Sequence, residues 1–274
     1  MGVVAHARLS PARIAADDDP RLAEYASLRD PALRRAGLFV AEGRIVVEQV
    51  LASGLRVRSV LSTEAACASV EGAVARCVES PPIYVADVAV LSRVAGYALH
   101  HGCLALVERG PERTAAAVLA DAGTEPGVVL VLDEISNPDN VGALFRNAAA
   151  FGARAVLLSP GSSDPLYRKT VRVSMGSVAR VPHARVTPWP DALRTVRAAG
   201  FTLVALTPHG ADLDRFVVQN GGRVALVVGA EGPGVRPDTL ALADATVGIR
   251  MAPGVDSLNV AAASAVALHH LARR

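Results

Sequence analysis

The first hundred residues alternate between short apolar runs and segments in which apolar positions recur at helical spacing. Residues 21–37 show the spacing of a helix that is interrupted at Asp30-Pro31, and strand-like and helical segments then alternate as far as the strand GCLALVER. This alternation is typical of a small α/β domain. We therefore predict such a domain over residues 21–108, preceded by an irregular N-terminus over residues 1–20.

The length of the apolar runs changes after a short connecting segment. Residues 109–126 are bounded by Gly and Pro and have the character of a linker. Beyond them the apolar runs are longer, and VVLVLD is continuous, as expected of a parallel strand that is covered on both faces. Strands and helices alternate from there to the end, and VARVP (178–182) is one of the predicted strands. The pattern predicts a second α/β domain over residues 127–274 with a mostly parallel sheet.

The last predicted helix differs from the others. It starts abruptly after Asn259 and has almost no polar face between Val260 and Leu268. A helix that is apolar all round is expected to be buried. We therefore expect this helix to be covered on both sides.

Composition favours a folded cytoplasmic protein. Of the 274 residues 51% are hydrophobic, which is enough for a substantial core. No apolar run reaches the roughly 20 residues that span a bilayer, and the first residues lack the apolar segment of a secretory signal. The three cysteines have no metal-ligand spacing, so we expect no metal site.

Positive charge is clustered rather than large. The formal net charge is +2, but residues 167–185 contain only basic charges: Arg168, Lys169, Arg172, Arg180 and Arg185. Binding to a phosphate backbone requires such a cluster, although a run of charge can also be a solvated face. The distribution therefore fits either a surface that binds a phosphate backbone or a solvated face.

Three polar loops follow apolar strands in the second domain. The first (132–152) leads into a largely apolar helix that carries Arg146, which could also be an arginine that extends to the surface. The second (227–237) surrounds Glu231 with glycines, which permit positive φ and a close approach to a ligand. The third (246–272) contains a Pro-Gly turn and a helix start. Ligands bind at the carboxyl ends of parallel strands, where such loops meet.

Together the three loops resemble one family. The order NPDNVGALFRNA, VVGAEGPGV and IRMAPGVDSLNVAAA is similar to the motifs of the SpoU (TrmH-like) branch of the SPOUT RNA methyltransferases, over about residues 127–274. In the first domain, LRDPALRRAGLFVAEGRIVVEQVL and HGCLALVE resemble, more weakly, the substrate-binding domain often fused ahead of it, which is similar to a kink-turn-binding ribosomal protein fold.

This resemblance implies a fold and a reaction. The second domain would be a SPOUT fold with a deep trefoil knot, an exception to the general absence of knots in proteins. S-adenosylmethionine would bind in a bent form within the knot of an obligate homodimer. The reaction would be methyl transfer to a ribose 2′-hydroxyl of structured RNA, with ribosomal RNA favoured over transfer RNA.

The resemblance also implies residue roles. The catalytic residues would be Arg146, Asn140, Glu231, Ser257 and Asn259. The cofactor would contact Leu206, Thr207, Gly229, Glu231, Gly232, Ile249, Met251, Ser257 and Leu258. RNA would contact basic side chains in two parts of the chain, namely Arg34, Arg35, Arg44, Arg168, Lys169 and Arg172.

The motifs depart from the family pattern at three positions. Asp139 stands where Gly is common, Asp256 replaces the usual Glu, and Ala261 occupies a position where Ser is frequent. These residues lie beside the matched positions, so we expect adjusted activity rather than its loss.

Three other interpretations remain. The substrate could be transfer RNA, or the chain could be a non-catalytic RNA-binding protein on the same scaffold. Retention of all five catalytic candidates argues against the second of these. A doubly wound enzyme acting on a small molecule is disfavoured because the chain lacks the Walker A and GxGxxG phosphate-binding patterns.

Overall fold

The computed structural model describes residues 10–16, 18–25, 28–96, 102–218 and 220–272. The chain forms two compact units, one made of Met1–Pro111 with Leu166–Ala179 and the other of Glu112–Pro165 with Arg180–Arg274. Leu166–Ala179, which lies within the predicted second domain in sequence, thus groups with the first unit.

The elements alternate along the chain in both units. The strands are β1 (Ala12–Arg13), β2 (Leu38–Glu42), β3 (Val57–Ser62), β4 (Ile83–Val85), β5 (Cys103–Glu108), β6 (Gly127–Asp133), β7 (Ala155–Leu158), β8 (His183–Arg185), β9 (Thr202–Asp212), β10 (Arg223–Gly229) and β11 (Ala245–Gly248). The α-helices are α1 (Asp30–Arg35), α2 (Arg44–Leu51), α3 (Glu64–Val74), α4 (Val88–Ala95), α5 (Ala115–Asp121), α6 (Pro138–Ala150), α7 (Arg168–Val173), α8 (Leu193–Ala198), α9 (Pro237–Leu240) and α10 (Val260–Ala272). Short 3-10 helices occur at Pro20–Tyr25, Ser177–Ala179, Leu213–Arg215 and Asn220–Gly222.

The first unit contains a mixed five-stranded sheet in the order β1-β4-β3-β5-β2. β5 is antiparallel to both β2 and β3, whereas β4 is parallel to β3 and β1. The short strand β1 lies in the segment predicted to be irregular. Its two residues are too few to show the alternation that identifies a strand in sequence.

Helix α7 is part of this first unit and packs against β2. Just after α7, Gly176 has a φ of +79°, and a Cβ there would lie 3.0 Å from Cβ of Gln49 and 3.3 Å from the carbonyl of Val46. Glycine at this position therefore permits both the turn and the close approach to α2.

The second unit contains a six-stranded sheet in the order β11-β9-β10-β6-β7-β8, in which every pair is parallel. Its central strands β6 and β10 are buried almost throughout, as their continuous apolar runs predict. The α/β class and the parallel sheet of the second unit are confirmed. The trefoil knot stays a prediction.

Two local predictions differ from the structure. VARVP is not a strand: Ser177–Ala179 forms a 3-10 helix and the strand begins later, at His183. The buried Val178 and Val181 are three residues apart, which fits a 3-10 turn rather than the two-residue repeat of a strand. The interruption predicted at Asp30-Pro31 is where α1 begins, because Pro suits the first turn of a helix.

The expectation that the last helix is covered on both sides is wrong within this chain. Helix α10 packs against α6, β6 and β10 through one face. On the opposite side Val266 is 47% exposed, and Ala262 is exposed as well. A short stretch of apolar residues cannot show which of its faces the chain itself covers.

Candidate active site

A cavity of about 410 Å³ lies against the middle of β9 and just beyond the ends of β10 and β11. Three segments line it: residues 206–208 within β9, the loop that follows β10, and the loop that connects β11 to α10 together with the start of that helix. Its lining residues are Leu206, Thr207, Pro208, Val228, Gly229, Ala230, Glu231, Gly232, Gly234, Ile249, Met251, Ser257, Leu258, Asn259, Val260 and Ala263. All nine residues that the resemblance assigns to the cofactor are among them.

The wall contributed by β9 comes from an irregularity in the sheet. β11 pairs with β9, but the register jumps from Thr246↔Ala205 to Val247↔Ala211, so residues 206–210 leave the ladder. This excursion supplies Leu206, Thr207 and Pro208 to the cavity. It closes tightly, because a Cβ on Gly210 would lie 2.3 Å from the carbonyl carbon of Val247.

The loop after β10 is also folded tightly on itself. The N–H of Gly234 donates to the carbonyl of Ala230 at 2.9 Å. A Cβ on Gly229 would lie 2.1 Å from the carbonyl carbon of Gly234, so the two backbone segments are in direct contact. Gly232, with a φ of +85°, forms the turn between them.

Asn259 connects the motif residues at the rim of the cavity. Its Nδ2 donates to Oε1 of Glu231 at 2.7 Å and to Oδ1 of Asn140 at 3.2 Å. Its Oδ1 accepts from the N–H of Ala261 at 2.8 Å, which makes Asn259 the cap of α10. Three of the five predicted catalytic residues are thus in direct contact.

The remaining two catalytic candidates lie outside this network. Ser257 lines the cavity from the exposed loop that precedes α10. Arg146 lies on α6 and is exposed, and within the described part of the chain its guanidinium forms no hydrogen bond or ion pair. The side chain is therefore available to a ligand.

The next residue, Asn147, fixes α6 against α10. Its Nδ2 donates to the carbonyl of Ala261 at 2.7 Å and to Oγ of Ser264 at 2.9 Å. Asn140 and Asn147 are seven residues apart, close to two helical turns, so both lie on the side of α6 that faces α10. The helix that carries Arg146 is thereby held at two points.

The six basic residues predicted to bind RNA all belong to the first unit. Arg34, Arg35, Arg44, Lys169 and Arg172 are exposed. Arg168 is partly buried. Its side-chain Nε lies 3.8 Å from Oε2 of the buried Glu42, and its backbone N–H donates to Oδ1 of Asp30 at 3.0 Å. Arg168 therefore also has a structural role, in attaching α7 to the first unit.

The described residues contain no group of three or more His, Cys, Asp or Glu that could hold a metal ion. None of the helices among those residues is long and apolar enough to cross a membrane. Burial raises the pKa of the Cys103 thiol to about 12, as expected of an inert core cysteine.

The three motifs have counterparts among known proteins. The family model described as the SpoU rRNA Methylase family matches residues 127–269. The chain belongs to this SpoU methylase family. Since the matched region includes all three loops of the cavity, the family assignment covers the site just described.

Individual relatives extend the likeness to nearly the whole chain. A Mycobacterium tuberculosis protein described as an uncharacterized tRNA/rRNA methyltransferase is 40% identical over 264 residues, which cover 93% of this chain and 90% of that protein. The 23S rRNA (guanosine-2′-O-)-methyltransferase RlmB of Ralstonia nicotianae is 35% identical over 189 residues, which cover 69% of this chain and 76% of RlmB.

A solved structure agrees with this assignment. The SpoU methyltransferase AviRb of Streptomyces viridochromogenes, determined in complex with the cofactor AdoMet, has a TM-score of 0.76 to this chain at 25% identity. The match covers 93% of this chain and 97% of AviRb. Both units of this SpoU-family chain therefore have counterparts in a solved relative.

Sequence reasoning missed several residues that shape the site. Pro208 lines the cavity, Gly210 closes the β9 excursion, Asn147 fixes α6, and Asp133 bonds the far end of the β10 loop. Of these, Gly210 carries a detectable signal, since a glycine inside a strand often marks a close backbone approach. The partners of Asn147 and Asp133 are more than a hundred residues away in sequence, which no local pattern reveals.

Proposed function

We propose that this SpoU-family chain is an S-adenosylmethionine-dependent RNA methyltransferase that acts on a ribose 2′-hydroxyl of ribosomal RNA. The observation that carries the proposal is that the second and third motif loops line one cavity, and that Asn259 at its rim is bonded both to Glu231 and to Asn140 of the first motif. The AdoMet bound to AviRb and the reaction named for RlmB support the cofactor and the substrate. A ribosomal RNA substrate also implies a cytoplasmic enzyme.

The cavity suits this cofactor in size and chemistry. A volume of about 410 Å³ falls in the range of roughly 300–1,000 Å³ found for small-molecule sites. Leu206, Ile249 and Leu258 would provide apolar walls. Gly229 and Gly232, which have no side chains, would let polar atoms of the ligand approach the backbone of the loop. When bound, S-adenosylmethionine supplies a methyl group on a positively charged sulfonium.

Arg146 would act on the RNA. A ribose hydroxyl is a weak nucleophile, so the enzyme must align it and help its proton to leave. A free guanidinium has a pKa above about 12 and stays charged. Arg146 would therefore bind the neighbouring phosphate, orient the hydroxyl and stabilise its oxygen as the proton passes to water. Asn140 and Asn147 would hold α6 so that this side chain faces the cavity.

The first unit would bind the RNA. Five of its exposed basic side chains, Arg34, Arg35, Arg44, Lys169 and Arg172, would provide charge for phosphate contacts. RNA is read mainly by shape and in unpaired loops, which suits contacts from a unit other than the one that holds the cavity. We propose residues 21–108, together with α7, as this RNA-binding part.

A homodimer is the remaining part of the proposal. Val255, Leu258 and Val266 are between 42% and 48% exposed, on and just before α10. Exposed apolar residues concentrated in one segment are typical of a protein interface. A second copy of the chain would cover them.

Transfer of labelled methyl from S-adenosylmethionine to purified ribosomal and transfer RNA tests the function, with Arg146→Ala as the control. We expect label in ribosomal RNA with the wild-type protein and none with the variant. Label in transfer RNA alone would reject the substrate, and label in neither RNA, with RNA binding intact, would reject catalysis in favour of a binding protein. Replacing Arg146 by Lys tests its role in proton loss, since an unchanged rate and pH profile would reject that role.

A further inference from the structure

Asp133 lies between the two ends of the loop that follows β10, residues 229–236, which we call the cofactor loop. Asp133 ends β6, is 0% exposed, and pairs across the sheet with Gly229, where the cofactor loop begins. Its Oδ2 accepts the N–H of Arg236 at 2.9 Å, where the loop ends and α9 begins. One buried side chain therefore fixes the return of the loop next to its start.

The cofactor loop has little freedom to adapt to a shift at Arg236. Ala230 and Gly234 form an isolated bridge, and the contact between Gly229 and Gly234 leaves no room even for a methyl group. From this same loop Glu231 reaches Asn259. Movement of the Arg236 end would therefore move the backbone that lines the cavity.

This arrangement has an energetic cost. Burial raises the pKa of the Asp133 carboxyl, and the Arg236 N–H, the Thr239 hydroxyl and the Trp189 indole act against that rise. Even so, Oδ1 of Asp133, Nε1 of Trp189 and Oγ1 of Thr239 are buried and form no hydrogen bond of ordinary length within the described residues. A buried carboxylate with incomplete pairing is costly to stability, and such groups concentrate at functional sites.

We propose that Asp133 is a positioning residue for the cofactor. By holding the N–H of Arg236, its carboxylate keeps the backbone of residues 229–234 in the shape that binds S-adenosylmethionine. The proposal rests on the proposed function, because it requires that cofactor in this cavity. Asp133 itself does not line the cavity and acts through the cofactor loop.

A pair of substitutions at Arg236 isolates the hydrogen bond. Arg236→Pro and Arg236→Ala both remove the side chain and its ion pair with Asp238, but only proline also removes the N–H. The φ of −59° at position 236 suits proline. The two variants therefore differ in the N–H that Asp133 holds and in the proline ring that replaces it.

The measurements are cofactor affinity by calorimetry, the melting temperature, and kcat and KM for methyl transfer. We expect Arg236→Ala to bind S-adenosylmethionine like the wild type and Arg236→Pro to bind it roughly tenfold more weakly or worse, since hydrogen bonds to charged groups are among the stronger ones. The loss should appear in KM for the cofactor, with kcat at saturation close to that of Arg236→Ala. Equal affinity in the two variants would overturn the proposal.

A second pair covers the case in which Arg236→Pro does not fold. Asp133→Asn keeps an acceptor for the Arg236 N–H, whereas Asp133→Leu keeps the branching at Cγ but is larger and has no acceptor. We expect weak cofactor binding in the leucine variant alone, and equal binding in both variants would overturn the proposal. A wild-type protein that does not bind S-adenosylmethionine would refute the proposed function and this inference together, whereas normal wild-type binding with unaffected variants would refute the inference only.

Discussion

The amide of Asn259 donates a hydrogen bond of 2.7 Å to the carboxylate of Glu231, while the carbonyl oxygen of the same side chain caps α10. The start of the last helix and the orientation of Glu231 thus depend on one side chain. Its second bond, to Asn140, adds α6, the helix that carries Arg146. The residues of three motifs that are distant in sequence are coupled at this point.

Asn259→Ala should impair both stability and catalysis. Loss of a helix cap costs about 1 kcal/mol, and Glu231 and Asn140 lose the donor that connects them. We expect a small fall in the melting temperature and a fall of roughly tenfold or more in methyl transfer, since hydrogen bonds to charged groups carry more than about 1 kcal/mol each. Thermal unfolding and the labelled transfer assay measure the two effects.

The matched control for Asn259→Ala is Thr114→Ala. Thr114 caps α5 by accepting the N–H of Ala117 at 3.2 Å, and it does not line the cavity. Its loss should lower stability by a similar amount and leave methyl transfer unchanged. Equal losses of activity in the two variants would mean that Asn259 acts only through stability.

Gly210→Ala should destroy the β9 wall of the cavity. The added Cβ would lie 2.3 Å from backbone atoms of Val247, so β9 and β11 must separate or the excursion at residues 206–210 must move. We expect loss of cofactor binding together with destabilisation. In the control Gly72→Ala the nearest atom is 4.0 Å away, on the flexible Arg76 side chain, and the helix should be stabilised by about 0.5–1 kcal/mol. Normal cofactor affinity in Gly210→Ala would contradict this account of the wall.

Asp133→Asn should change how stability depends on pH. Because burial raises the pKa of Asp133 above its ordinary 3.8, the folded protein holds this proton at pH values where the unfolded chain has lost it. The contribution of Asp133 to the free energy of unfolding therefore falls as the pH rises from the ordinary pKa of 3.8 through the raised pKa of the folded protein. Above that raised pKa it levels off. The charged group acting on Asp133 is Arg236, which does not titrate in this range.

The asparagine variant lacks that contribution. The difference in unfolding free energy, variant minus wild type, should therefore grow over the same pH window, as measured by urea unfolding at a series of pH values. A difference that is constant with pH would show that the carboxyl titrates as it does in the unfolded chain. Such a result would remove the energetic argument for a functional role of Asp133.

Much of this architecture could be predicted from sequence because it rests on local patterns. The continuous apolar runs of β6 and β10 follow from burial on both faces of a parallel sheet. The nine cofactor residues, which all line one cavity, are implied by the resemblance of the motifs to a family and not by these patterns. What could not be predicted depends on distant contacts. The grouping of α7 with the first unit, the register jump in β9 and the bonds of Asn147 each join segments whose own sequence carries no sign of the partner.

The exposed face of α10 leads to a prediction about assembly. Val266→Lys places a charge on the apolar surface that we propose a second copy covers, and it should convert the dimer into a monomer in analytical ultracentrifugation. Val78→Lys is the control, since Val78 is 87% exposed and belongs to the first unit. A wild-type protein that sediments as a monomer would refute the homodimer, and a dimer that survives Val266→Lys would place the interface elsewhere.

We propose above all that the protein transfers a methyl group from S-adenosylmethionine, bound in this cavity, to a ribose hydroxyl of ribosomal RNA. The most direct test of this proposal is to digest the RNA methylated by the purified protein to nucleosides and to identify the labelled nucleoside by mass spectrometry, with Arg146→Ala alongside. We predict a single 2′-O-methylated nucleoside from ribosomal RNA that is absent with the variant. A methyl group on a base, or label that persists in Arg146→Ala, would contradict the mechanism.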